Sequence, residues 1–231
     1  MQQILISELA HKKYAKELSC LGFEPIPLPE DKRLNKTVSS HADTLIYTDG
    51  KLSIANSDYI KALPPEVQEG IKGVTEFPHG DYPTDAIFNA LCVGNLLFAR
   101  MASLSEAVKT SANSAGYTMV NVKQGYAKCS TLTIPQKNAA ITADSGMAKA
   151  MEKHGVRVLK IVPGHITLDG CEYGFIGGAS FVCAPTKTVY FFGDITAHPD
   201  FENIVSFIKD AGYSVSSLGG ELTDFGGAVI I

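Results

Sequence analysis

The sequence predicts an α/β fold in which five strand–strand–helix–strand units form a closed ring. Three observations predict it. The order strand, turn, strand, helix, glycine, strand recurs four times along the chain. A fifth unit is present in two halves, one at each end. Both ends are apolar: "MQQILI" opens the chain and "FGGAVII" closes it.

The first half-unit covers 1–28, with a strand "QILIS", a helix over 7–21, a stop at Gly22 and a strand "FEPIPL". It lacks an opening strand, and "GGAVII" at 226–231 supplies one. Pairing the last strand with the first closes the ring and removes an exposed sheet edge. The second unit is 41–77. "HADTLIY", Asp49-Gly50 and "KLSIA" make a hairpin, its helix is broken by Pro64-Pro65, and "GVTEF" ends it. The third is 86–122. "AIFNALCVGNLLFA" holds two strands around Gly94-Asn95, and Ser103 with Glu106 forms a capping-box pattern. Gly116 stops the helix before the strand "YTMVNV".

The fourth unit, 129–162, is the cleanest. A strand over 129–134 leads through a turn over 135–138 to a second strand over 139–142. Asp144 or Ser145 caps a helix that turns Met147, Ala148, Ala150 and Met151 inward. Gly155 ends that helix before a strand over 156–162. The fifth, 179–218, reads "ASFVCA", "PTK", "TVYFFG", then a helix beginning near Pro199 with Ile204, Val205, Phe207 and Ile208 on one stripe. Gly212 ends it, and "YSVSSL" is the third strand. The whole chain, 1–231, reads as one domain.

Composition narrows the function classes. The chain has 231 residues, is 45% hydrophobic and carries a formal net charge of -4, which suits a globular protein with a sizeable core. Mild acidity argues against a broad nucleic-acid surface. No apolar run reaches membrane-helix length, and the first residues lack a signal peptide's basic segment. The five cysteines, Cys20, Cys92, Cys129, Cys171 and Cys183, are odd in number and far apart. A disulfide framework is therefore not expected, and a reducing cytoplasm is. Cys20, Cys92 and Cys183 fall on expected core faces.

At the level of units the whole chain resembles the pentein superfamily. "VKQGYAKCS", "ITADSGM", "PGHITLDGCEYGFIGGAS" and "LTDFGGAVII" make it similar to an uncharacterised bacterial branch of that superfamily. The resemblance implies a five-bladed β/α propeller with pseudo-five-fold symmetry, the fold of guanidine-modifying enzymes such as arginine deiminase. It also implies two function classes. One is an enzyme acting on a small guanidino, amidino or amide compound. The other is a non-catalytic partner-binding scaffold like the ribosome anti-association factor.

In such a ring the links between units, 29–40, 78–89, 123–128, 163–178 and 219–225, lie at one end. With the strand starts beyond them they concentrate reactive side chains, and convergent polar groups at a concave mouth suit a small-molecule site. Links are also polar simply because they are wet. The expected ligand contacts are Asp43, Lys123, Tyr126, Asp169, Glu172, Tyr173 and Asp224, around a small polar or zwitterionic molecule. Cys129 is the candidate nucleophile, because Lys123 and Lys128 are cations near enough in sequence to lower a thiol pKa. Cys171 is second choice. His41 and His165 are candidate general bases. No HxH or HExxH spacing supports a metal, and no phosphate loop or other cofactor motif is present. Glycines crowd "GFIGGAS" and "FGGAV", where they relieve close packing at the axis.

The resemblance also carries a departure. Its enzymes place the nucleophilic cysteine in the glycine-rich closing strand, where this chain has Val229 or Ile230. Their histidine opens the first strand of the fourth unit, where this chain has "YAKCST". The usual Cys–His guanidine hydrolysis is therefore not expected, and only a divergent hydrolase using Cys129 would retain such chemistry. Composition leaves the oligomeric state open.

Overall fold

The computed structural model describes residues 1–134 and 136–231. The chain begins with β1 (Gln2–Ser7), α1 (Glu8–Cys20) and β2 (Phe23–Leu28). The second unit holds α2 (Ala42–Leu45), β3 (Ile46–Thr48), β4 (Ser53–Asn56), α3 (Ser57–Ile60), α4 (Pro65–Gln68) and β5 (Ile71–Val74). The third is β6 (Leu91–Val93), β7 (Leu96–Ala99), α5 (Glu106–Ser114) and β8 (Thr118–Asn121). The fourth is β9 (Thr131–Ile134), β10 (Ala139–Thr142), α6 (Ser145–Lys153) and β11 (Arg157–Lys160). The fifth is β12 (Ser180–Cys183), β13 (Thr188–Phe191), a 3-10 turn (Ile195–Ala197), α7 (Phe201–Asp210) and β14 (Ser214–Ser217), and β15 (Ala228–Ile230) follows.

These strands form five three-stranded sheets, all built alike. The middle strand pairs antiparallel with the first and parallel with the third. A parallel pair needs a crossover, so the helix of each unit falls between its middle and third strands. In the first sheet β15 supplies the opening strand, with Ile4 opposite Ile230, Leu5 opposite Val229 and Ile6 opposite Ala228. The fold is an α/β pentein propeller closed by its last strand on its first.

The core explains the closure. Five apolar clusters occupy the five seams between neighbouring sheets. Leu28, Leu45 and Ile71 join the first and second units, and Tyr47, Ile54 and Leu97 the second and third. Phe98 and Met147 join the third and fourth, and Ile141, Phe191 and Ile208 the fourth and fifth. The last seam joins the fifth unit to the first, through Ile6, Leu18 and Phe23 against Phe181, Tyr190 and Phe192. Phe181 stacks on Tyr190 at 4.9 Å between centroids, and Phe23 meets both rings edge-on.

Local signals hold at the helix ends. Ser7 caps α1 by accepting from the Ala10 N–H at 3.2 Å, and Asp144 caps α6 through the Gly146 and Met147 N–H groups. Gly22, Gly116, Gly155 and Gly212 end α1, α5, α6 and α7 with φ between 77° and 89°, a conformation that L side chains rarely adopt. At α5 the cap differs from the expected box. Ser105 is the N-cap, and Glu76 from the preceding unit accepts from the Glu106 and Ala107 N–H groups at 2.7 and 3.1 Å.

Three expected strand starts are turns instead. Residues 42–45 are helical, because the His41 carbonyl accepts from Thr44 and Leu45. Residues 86–90 turn back on themselves, and 129–130 belong to a turn in which the Ser130 N–H reaches the Tyr126 carbonyl at 2.9 Å. These segments are buried at the ring's mouth and mix apolar residues such as Leu45 and Phe88 with buried polar ones, so burial alone does not separate them from strand. The unit helix at 41–77 is two short turns, α3 and α4, split as Pro64-Pro65 requires. Pro135, in the expected turn over 135–138, lies outside the described residues. Cys183 is buried, Cys92 is partly buried and Cys20 is exposed, so Cys20 is not a core residue. Among the described residues no helix is long and apolar enough to cross a membrane.

The closing strand yields a prediction. Leu5 is fully buried against Val229, so Leu5→Ala is expected to cost about 2–5 kcal/mol. Deletion of 226–231 should lower the melting temperature further and cause self-association through the bared edge of β1. Thermal denaturation and size-exclusion chromatography check both. A truncated chain as heat-stable and monodisperse as the full one would argue against closure.

Candidate functional site

All five links meet at one end of the ring, around a cavity of about 410 Å³. His41, as the N-cap of α2, points to it, and two residues on the Asp43 N–H donates to the Gly226 carbonyl at 3.1 Å. Asn89 ends the next link, and its side-chain oxygen accepts from the Lys128 and Cys129 N–H groups at 2.7 and 3.3 Å. That clamp fixes the turn carrying Cys129. From the other side the Gly178 N–H donates to the Cys129 carbonyl at 3.0 Å. Asp224 accepts from the Phe175 and Gly226 N–H groups at 2.8 and 2.9 Å, and the Cys129 thiol donates to it at 3.3 Å.

Two glycines make this approach possible. A Cβ at Gly177 would sit 2.6 Å from the carbonyl oxygens of both Cys129 and Thr131. One at Gly178 would sit 2.7 Å from the Cys129 sulfur and collide with the Asp224 carboxylate. The close packing that the sequence predicts for "GFIGGAS" thus serves the site itself.

The electrostatics are those of crowded acids in a poorly solvated floor. Burial, reinforced by the Asp224 charge, pushes the Asp43 carboxyl up to about 8, so it is mostly protonated at neutral pH. Burial pushes the Cys129 thiol well above its ordinary value, and Asp224 and Asp43 add to the effect. Burial pulls the His41 imidazole down, opposed by Asp224, and also pulls down the half-buried Lys128 ammonium. The expectation that neighbouring lysines activate Cys129 is therefore corrected. Lys123 is exposed, and two carboxyl groups stand closer in effect than Lys128 does. Higher in the cavity Tyr126 donates a hydrogen bond to Asp85, whose own carboxyl is raised by burial. Asp85 Oδ1 and Asn89 Nδ2 are buried without a hydrogen-bond partner among the described residues.

Of the residues expected at the site, His41, Tyr126, Cys129, Tyr173 and Asp224 line this one cavity, and Asp43 sits beside His41 and Cys129 at its floor. Four are placed elsewhere. Lys123 and Asp169 are exposed and do not line it. His165 and Glu172 line a neighbouring open cleft of about 320 Å³ with Glu221. Cys171 borders both spaces and is exposed. The sequence reading missed Tyr82 and Phe175 as wall residues. Both are aromatic residues within links, and that was the available signal.

Residues 5–229 match a family of unknown function, DUF6873. The chain belongs to that family. No curated protein matches this DUF6873 member. Its fold is similar to solved structures of dimethylarginine dimethylaminohydrolase. One, from Pseudomonas aeruginosa, is a cysteine-to-serine mutant complexed with citrulline. It is 11% identical with a TM-score of 0.58, over 100% of this chain and 99% of that one. A second, an adduct with 4-chloro-2-hydroxymethylpyridine, is 11% identical with a TM-score of 0.56, over 96% of this chain and 92% of that one. A third, a histidine-to-glycine variant as an adduct with S-methyl-L-thiocitrulline, is 10% identical with a TM-score of 0.52, over 94% and 92%. At these identities the likeness establishes the pentein fold of the DUF6873 chain.

Two outcomes test the geometry. Gly177→Ala should cost about 1–3 kcal/mol through overpacking against the Cys129 turn, measured by denaturant unfolding. Alkylation at neutral pH should label the exposed Cys20 and Cys171 well before Cys129, whose thiol is buried and protonated. Peptide mass spectrometry reads the order, and labelling of Cys129 first would contradict the site described.

Proposed function

We propose that this protein binds a small polar or zwitterionic molecule bearing a positively charged group, of the amine, amidino or guanidino class, at the mouth of the ring. The observation that carries this reading is the cavity lining. Asp81, Asp85 and Asp224 supply three carboxyl groups, and Tyr82, Tyr126, Tyr173 and Phe175 supply four aromatic rings. Among the described residues no lysine or arginine side chain lines it. Carboxylates attract a cation, and aromatic faces stabilise one by about 0.5–2 kcal/mol each. Asp85 Oδ1 has no hydrogen-bond partner among the described residues and would accept from such a ligand. Such a lining also favours an enclosed ligand over a flat partner surface.

Usual guanidine hydrolysis is not part of the proposal. Val229 is buried in the seam beside Leu5, and Ile230 packs in the next seam, so the closing strand offers no nucleophile. Cys129 carries its proton toward Asp224, and a thiol is a far weaker nucleophile than a thiolate.

The test is a binding panel of agmatine, arginine and methylated arginines against citrulline, whose ureido side chain is the uncharged counterpart of the guanidinium, read by thermal shift and calorimetry. Charged members should bind and citrulline should bind much more weakly. Asp85→Asn should weaken binding about tenfold or more, the scale of a lost charge-assisted hydrogen bond. Equal binding of charged and uncharged members, or unchanged binding by Asp85→Asn, would defeat the reading. Ureido product formed in the same incubations would show that hydrolysis had been wrongly set aside.

A further inference from the structure

We propose that His41, Asp43 and Cys129 form a site for one divalent transition-metal ion, zinc by preference, at the floor of the cavity. The imidazole nitrogen, carboxylate oxygen and thiol sulfur lie within 4.8 Å of one another, and all three residues are buried. A tetrahedral zinc ion with bonds of about 2.0–2.3 Å sets its ligands roughly 3.5 Å apart, so the trio closes on an ion by side-chain shifts of about 1 Å. Nitrogen, sulfur and oxygen donors together suit zinc rather than magnesium or calcium, which take oxygen.

A second observation points to a missing partner. Asp43 is only 5% exposed, yet its Oδ2 has no hydrogen-bond partner among the described residues. A polar oxygen left without a partner in a buried site is costly, and a cation that displaces the carboxyl proton removes that cost. The donors are also held from outside. Asn89 clamps the Cys129 backbone, and the Gly226 carbonyl takes the Asp43 N–H. Gly226 lies directly against His41, where a Cβ would collide with the ring. His41 and Cys129 border the cavity, so three protein ligands leave the fourth position open toward it, the arrangement of zinc sites that accept an outside ligand.

Binding releases the proton of the Asp43 carboxyl through the cavity to solvent, and it replaces the S–H bond with a sulfur–metal bond, so the thiol proton leaves as well. Asp224, which already accepts that proton at 3.3 Å, takes it or passes it to solvent. The Lys128 ammonium is nearby but makes no ion pair within 4 Å among the described residues, so it does not already fill the place of a cation. The spacing of the sequence conceals this site, because His41 and Cys129 come from different units.

The metal site does not rest on the proposed organic ligand, and the metal alone is the probe. Full-length protein stripped with chelator is titrated with cobalt(II) and then zinc. One cobalt per chain should bind, give a thiolate-to-cobalt charge-transfer band and be displaced by zinc. Cys129→Ser should abolish the band, and His41→Gln and Asp43→Asn should each weaken binding about tenfold or more. No band in the wild-type protein, a band that survives Cys129→Ser, or unchanged affinity in both other variants would overturn the proposal. Circular dichroism establishes that each variant folds. If one does not, the wild-type chain decides. Stoichiometric zinc should protect Cys129 from alkylation at alkaline pH while Cys171 stays reactive, and equal labelling with and without zinc would overturn the proposal.

Discussion

Closure of the ring is the constraint on which the other features depend. Each three-stranded sheet has apolar side chains on both faces, and none can bury them alone. Each therefore shares a seam with the sheet on either side. Five seams need five sheets, and the fifth seam exists only because β15 completes the first sheet. The interaction that achieves this is modest in size: three residue pairs, Ile4 with Ile230, Leu5 with Val229 and Ile6 with Ala228. Its consequences are larger, because Val229 and Ile230 then contribute to two different seams. Loss of that strand would leave both seams incomplete and the edge of β1 without hydrogen bonds.

Closure also makes the site. An open sheet would spread the links along an edge, whereas a ring turns them toward a common axis. There the backbone must pass side chains at short range. Gly177, Gly178 and Gly226 mark the places where a Cβ would not fit. The same crowding excludes water from His41, Asp43 and Cys129 and raises both acids above their ordinary range. A site of this kind is poorly suited to holding a free thiolate. It is well suited to receiving positive charge, whether from an organic cation higher in the cavity or from a metal ion at its floor. The two proposals thus share one physical origin, too many acidic groups for the solvent available, while each stands on its own residues.

Part of this was legible in the chain. Gly22, Gly116, Gly155 and Gly212 announce the helix ends, since an L side chain rarely adopts the conformation found there. Asp144 caps α6 as a first-turn acceptor should. The unit helix interrupted by Pro64-Pro65 reads correctly because proline acts locally. The misreadings have a common cause. Residues 42–45, 86–90 and 129–130 are buried turns, and a short buried run bears the same signature in a turn as in a strand. The cap of α5 was misplaced because Glu76, which satisfies it, lies in another unit.

What the sequence determined by itself is the order of elements, the five-fold repetition and the pairing of the last strand with the first. These follow from local periodicity and from the complementarity of the apolar ends, and both are properties of short segments. Only the tertiary structure decided which link residues meet. Lys123 and Lys128 are five positions apart, yet one is exposed and the other lies beside the buried acids. Asp169 and Tyr173 share a link, yet only Tyr173 faces the cavity. A link has no period of 2 or 3.6, so no sequence rule says where its side chains point. The sign of a pKa shift escapes the sequence for the same reason. Nearby lysines in the chain suggested an activated Cys129, whereas burial against Asp43 and Asp224 keeps its proton in place.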